Sequence, residues 1–215
     1  MNRVSATGAT IVVANVPDVT VLPYLTSAEK VAQQVGVPLA YIGPILGIAP
    51  GDYVTPDAFP LIQAILTGAM SGPLPGNVVM TAAEVTIIQD TTDAYNAIIA
   101  EQAGARGIPV VDVHTLLLKL QARGYVANGQ RLTTDFLGGL FSLDGIHPTN
   151  TGYAIVANEF IRVFNTQFDA DIPPVSVAQI AKDDPLVLPG VGRPASALGH
   201  IKPETVQALR KVFAH

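Results

Sequence analysis

The chain has 215 residues, enough for a domain with a sizeable core, and only 13% of them are charged. Its formal net charge of −5 offers no basic footprint for nucleic acid or for an anionic membrane surface. It has no cysteine, which excludes disulfides and thiolate-held metals.

Met1 to Thr10 lacks the apolar stretch of a signal peptide. The uncharged run between Lys30 and Asp52 is broken by Pro38, Pro44 and Pro50, which makes it a poor membrane span, and no transmembrane segment is expected. Thr10 to Val16 is a β-branched apolar run of the kind that forms a strand in a parallel sheet. Asn15, Asp18 and Thr20 gather at its C-terminal end, where open α/β sheets bind ligands. Asn15 and Asp18 are therefore candidate substrate-binding residues, with ordinary turn chemistry as the alternative.

Thr26 to Val35 reads as a helix capped by Thr26 or Ser27, with Glu29 in its first turn. Residues 36–80 are rich in Pro and Gly. They predict a loop-rich insertion, a pocket wall or lid, with one helical piece from Pro56 to Leu66 capped by Thr55. A packing excursion is the alternative.

Thr81-Ala82-Ala83-Glu84 is a capping box that opens a helix running to about Ala105. Ile88, Tyr95 and Ile99 share one of its faces, with Ile87 and Ile98 beside them, which predicts Tyr95 in the core. Pro109 to Val113 is a second buried strand, and helix followed by strand is half of a βαβ unit. His114, directly after it, reads as structural. Thr115 to Arg123 predicts a helix ending at Gly124.

Leu132 to Leu140 leads into Phe141-Ser142-Leu143-Asp144-Gly145-Ile146-His147-Pro148-Thr149. A further helix, Thr151 to Phe168, should lay Ala157, Phe160, Ile161 and Phe164 on the sheet. Asp171 to Gly199 reads as a linker or wrapping segment. Lys202 to His215 reads as a tail helix with Val206, Leu209 and Phe213 on one face, and His200 and His215 as exposed tail histidines. Two regions follow: 1–170 as the main domain and 171–215 as linker and tail.

Asp144 and His147 bracket a turn that Gly145 permits, and Pro148 holds His147 extended. Thr149 or Asn150 can cap the helix beyond. A carboxylate that fixes an imidazole, which in turn takes a proton from a serine, is the acid–base half of a hydrolytic triad. Asp144 and His147 are the candidate catalytic residues, and Ile146 between them is a candidate substrate contact. An Asp-turn beside a capping region is the bland alternative, and a pair that activates water is another. No ligand cluster at a familiar spacing points to a metal.

Asp144-Gly145-Ile146-His147-Pro148-Thr149 with Gly152-Tyr153 resembles the last block of the SGNH/GDSL ester hydrolases. Asn15-Val16-Pro17-Asp18-Val19-Thr20 with Leu22-Pro23-Tyr24, Asp93 to Ile99, and Phe141-Ser142-Leu143 resemble stretches of a bacterial branch of that family. The resemblance covers about Thr7 to Pro174. It implies a three-layer α/β/α domain with a parallel sheet, a lipase or esterase acting on lipid or small acyl esters, and no cofactor. It also implies a Gly-Asp-Ser nucleophile block and a Gly-x-Asn oxyanion block, and this sequence contains neither. Ser5, Ser27, Ser71, Ser142, Ser176 and Ser196 all lie in other contexts.

The expectation is therefore the C-terminal portion of a serine ester hydrolase. Its partners would be an ester substrate and an N-terminal portion, upstream of Met1, that brings the nucleophile. By the same resemblance the full-length protein would be extracytoplasmic. The alternative is a non-catalytic binding module or subunit with the same fold.

Overall fold

The computed structural model describes residues 7–187, and the tail helix expected at Lys202 to His215, with His200 and His215, lies outside them. In chain order the strands are β1 (Val13–Ala14), β2 (Thr26–Ser27), β3 (Tyr53–Val54), β4 (Val79–Met80), β5 (Val110–Val111), β6 (Tyr125–Ala127) and β7 (Gln130–Leu132). The helices are α1 (Ala28–Val35), α2 (Leu39–Leu46), α3 (Ala58–Leu66), α4 (Ala82–Gly104), α5 (Val113–Arg123), α6 (Asn150–Phe168) and α7 (Val177–Asp183). The class is mixed α/β with a small parallel sheet. The described residues fall into two compact units, one of 7–22 with 89–187 and one of 23–88.

In the first unit β1 and β5 run parallel, Val13 opposite Val110 and Ala14 opposite Val111, and α4 precedes β5 along the chain. Both strands are shorter than their apolar runs, for two local reasons. At β5 the Asp112 side chain accepts the Thr115 N–H, so α5 starts at Val113 and cuts the strand off. Just beyond β1, the Asn96 amide accepts the Val16 N–H at 2.7 Å and donates to the Val16 carbonyl at 2.9 Å. A side chain thus supplies the bonds that a neighbouring strand would.

The core of this unit joins Leu120 of α5, Leu132 of β7, Leu140, Phe141, Ala154 and Ile155 of α6, and Val177 and Ala181 of α7. On α6, Ala154, Ile155 and Val163 are buried, while Ala157, Phe160, Ile161 and Phe164 are only half-buried. The antiparallel pair β6–β7 precedes the run-in expected from Leu132 to Leu140, in a stretch where no strand was expected. Asn128 and Gly129 turn it at φ 51° and 75°, and an Asn-Gly pair with both φ positive is the ordinary two-residue hairpin turn.

Residues 36–80, expected as a loop-rich insertion with one helical piece, lie within the second unit. It holds the antiparallel sheet β2–β3–β4 and its own core, built from Val31 and Val35 of α1, Ile42 and Leu46 of α2, Val54 of β3, and Ile62 and Leu66 of α3. Its glycines and prolines punctuate short elements: Pro38 precedes α2 and Gly47 ends it at φ 69°. Two-residue strands show no alternation, so periodicity has nothing to detect there. Helix α3 starts at Ala58, and the backbone carbonyl of Thr55, not its hydroxyl, accepts the Ala58 N–H.

Asp52 knots this unit. It is buried, its carboxylate accepts the N–H groups of Ala49 and Ala82, both at 2.7 Å, and its carbonyl accepts that of Ala28.

Helix α4 has the capping box expected of it: Thr81 Oγ1 accepts the Glu84 N–H and the Glu84 carboxylate accepts the Thr81 N–H and O–H. Its face is not the expected one. Val85, Thr92 and Ala103 are buried, whereas Tyr95 is 56% exposed and Ile87 and Ile98 are exposed too. At 3.6 residues per turn the buried stripe is rotated by roughly 60° from the Ile88–Tyr95–Ile99 stripe. The cause is polar. Gln89 donates to Asp18 and Thr20, and Asn96 binds Val16, so these side chains must face inward.

Beyond α6 the chain does not trail off as a free linker. Asn165 bonds both backbone groups of Ile172, and Asn158 both of Val175, which binds residues 172–175 along α6 and delivers the chain to α7.

Candidate active site

The Asp144–His147 turn closes a short hairpin. Phe141 bridges Pro148 antiparallel, Ser142 N–H donates to the His147 carbonyl at 2.8 Å, and Thr149 N–H donates to the Leu140 carbonyl at 3.1 Å. At the tip, Gly145 N–H donates to the Ser142 carbonyl with Gly145 at φ 69°, a conformation that glycine adopts without a Cβ clash. The second leg runs straight into α6. Thr149 caps that helix by accepting the Gly152 N–H and anchors the leg by donating to the Gly139 carbonyl at 2.9 Å. Gly152 is needed for close approach, since a Cβ there would strike the Leu140 carbonyl and the Pro148 ring.

Within the turn, Asp144 Oδ1 accepts the N–H groups of Ile146 (2.9 Å) and His147 (3.0 Å), and Oδ2 lies 2.7 Å from His147 Nδ1. The hydrogen bond from the imidazole, followed by those from the two amides, holds the Asp144 carboxyl down at about 2. The carboxylate is an acceptor only, so in the neutral form of the imidazole Nδ1 carries the proton and Nε2 offers its lone pair. Among the described residues nothing bonds to Nε2. The side chains of His147 and Asp144 are 68% and 46% exposed, so water screens the pair and it adds little stability. What the contact does is fix a tautomer and a ring orientation.

No protein-family model, curated protein or solved structure matches the chain.

The other predicted site residues divide. Ile146 sits on the same turn, 43% exposed. Asn15 stays at the end of β1: its Oδ1 accepts the His114 N–H at 2.9 Å and its Nδ2 donates to Asp112 Oδ1 at 2.7 Å. Asp18 is buried, capping the short turn Val19–Val21 through Thr20 and accepting from Gln89. Among the described residues no hydrogen bond joins Asn15 or Asp18 to Asp144 or His147.

His114 has Nδ1 3.2 Å from the Val16 carbonyl, within the same knot as Asn15, Asp112 and Asn96. This knot escaped the sequence reading. Its only local trace is Asp112 three residues before Thr115, an N-cap spacing.

The described serines have other places. Ser27 and Ser176 cap α1 and α7, Ser71 lies on an exposed loop, and Ser142 pairs with His147 through its backbone. Among the described residues no group of three or more His, Cys, Asp or Glu could hold a metal ion. Nor is any described helix long and apolar enough to cross a membrane. The second unit has an open cavity of about 390 Å³, lined mostly by Val79, Met80, Ile87 and Ile88 with Thr55, Asn77 and Glu84.

Proposed function

We propose that the chain carries the acid–base half of a serine ester hydrolase. The observation that carries this is the 2.7 Å contact from Asp144 to His147 Nδ1, with Nε2 left open as an acceptor. In the reaction Nε2 takes the proton of a serine hydroxyl as its oxygen attacks the acyl carbonyl. The imidazolium then returns that proton to the departing alkoxide, and Asp144 stabilises the cation between the two steps. Water, deprotonated by the same nitrogen, frees the acid and restores the serine. Esters of lipids or small acyl compounds are the substrate class.

The nucleophilic serine and the oxyanion donors belong, in this reading, to a segment upstream of Met1, and the parent domain is a three-layer α/β/α fold. The parallel β1–β5 pair supports that fold, because strand, helix α4 and parallel strand follow one another as in a βαβ unit, with residues 23–81 lying between β1 and the helix along the chain. Ile146 is proposed to line the acyl path, and Asn15 and Asp18 to hold the strand end. A non-catalytic binding module is the second reading. It is favoured by the lack, among the described residues, of a hydroxyl bonded to Nε2.

The test extends the chain with its own upstream coding sequence. The extended protein should label with a serine-reactive fluorophosphonate and hydrolyse p-nitrophenyl butyrate, and His147→Ala should cut kcat by roughly 10⁴-fold or more. Extended protein that neither labels nor turns over would leave the module reading. Turnover by the 215-residue chain without labelling would point to activated water instead.

A further inference from the structure

Asp184 stands apart from every residue considered so far. It is a 5% exposed carboxylate just past the end of α7, and Oδ2 accepts both the N–H and the hydroxyl of Thr151, each at 2.8 Å. Oδ1 accepts the Leu186 N–H at 3.0 Å, so both oxygens are engaged. Thr151 is fully buried, in the first turn of α6, four residues after His147. A carboxylate at a helix N-terminus satisfies N–H groups that have no partner within the helix and meets the positive end of its dipole.

The route by which Asp184 arrives matters. Asn165 and Asn158 bind the backbone of Ile172 and Val175 to α6, and Asn128 donates to the Ala178 carbonyl of α7 at 2.7 Å. The strap 171–184 is thus fastened along its length before Asp184 meets Thr151. Thr149, two residues before Thr151, ties the second leg of the catalytic turn to Gly139. Asp144 and Gly145 bond the turn internally, and its second leg runs through Thr149 into the first turn of α6, where Asp184 holds Thr151.

We infer that Asp184 is a positioning residue for His147: by clamping the first turn of α6 it holds the leg that carries the imidazole at bonding distance from Asp144. The inference rests on the acid–base role proposed above for its importance to catalysis, but its readout needs no turnover.

The measurement uses the intact 215-residue chain with ¹⁵N-labelled histidine, of which it has four. Above the ordinary histidine pKa of about 6.5, nitrogen shifts report which ring nitrogen of His147 bears the proton. In the wild type Nδ1 should bear it. Asp184→Ala should lose that preference, with His147 moving to the mixed tautomer of free histidine. Asp52→Ala is the matched control, because it also removes a buried carboxylate that holds the start of a helix, α4. It should leave His147 unchanged.

A folded Asp184→Ala protein that keeps the wild-type tautomer overturns the inference, and so does an Asp52→Ala protein that loses it. Should Asp184→Ala fail to fold, Thr151→Val decides. It removes one of the two bonds from Thr151, and an unaltered His147 there overturns the inference while a partial shift supports it. In the extended protein, loss of positioning should lower kcat by up to about 100-fold with little change in KM. An extended protein with no hydrolysis at all would remove the chemical role and leave the tautomer result standing.

Discussion

Two backbone amides and one imidazole share the Asp144 carboxylate. Its folded value, about 2, lies below the ordinary aspartate value, so the direction of the pH effect follows. Whatever the contact contributes is fully present above the unfolded pKa of about 3.9 and is lost as pH falls through the folded one. Because the carboxyl is exposed, the contribution to stability is small and the observable is the titration itself. His147→Ala should move the Asp144 midpoint up toward 3.8, followed by ¹³C NMR of the side-chain carboxyl. A midpoint that stays near 2 would assign the depression to the amides of residues 146 and 147 alone. This site was readable in the sequence because all its parts lie within one turn, with a glycine at the tip and a proline behind the histidine. The asparagine clamps were not. Asn96 meets Val16 across 80 positions, and Asn158 meets Val175 across 17, and no local rule relates such pairs.

Helix α4 separates what an element's own residues decide from what its neighbours decide. That a helix begins at residue 82 follows from Thr81 and Glu84, which satisfy each other's backbone within four residues. Thr81→Ala should cost about 1 kcal/mol, read from a denaturant midpoint. Which face is buried does not follow from apolar spacing, because Gln89 and Asn96 have partners in the loop after β1 and turn the helix toward it. Tyr95→Ser should therefore change stability by no more than about 0.5 kcal/mol. A loss of several kcal/mol would put Tyr95 back in a core. The hairpin β6–β7 shows the reverse situation: its Asn128-Gly129 signal is local and present in the sequence, beside strands too short for alternation to reveal.

Among the described residues two hydrophobic cores lie in two units, so damage to one should stay local. Asp52→Ala takes the charged acceptor from the part-buried amides of Ala49 and Ala82, at a cost of about 1–2 kcal/mol. Hydrogen exchange should accelerate in α1, α2 and α3 while α6 and α7 keep their protection. Equal loss across both cores would mean that they unfold as one cooperative body. The sequence by itself determined the α/β class, most helix positions and the Asp144–His147 pair, since each depends on residues adjacent along the chain or one helical turn apart. Tertiary structure alone decided which core residues 36–80 join, which face of α4 is buried, and that residues 171–184 strap back to the base of the Asp144–His147 turn. The physical reason is common to all three. A buried N–H, carbonyl or carboxylate must find a partner wherever the fold brings one, and the partners here, Asp52 with Ala82, Asn96 with Val16 and Asp184 with Thr151, are brought together by folding rather than by sequence.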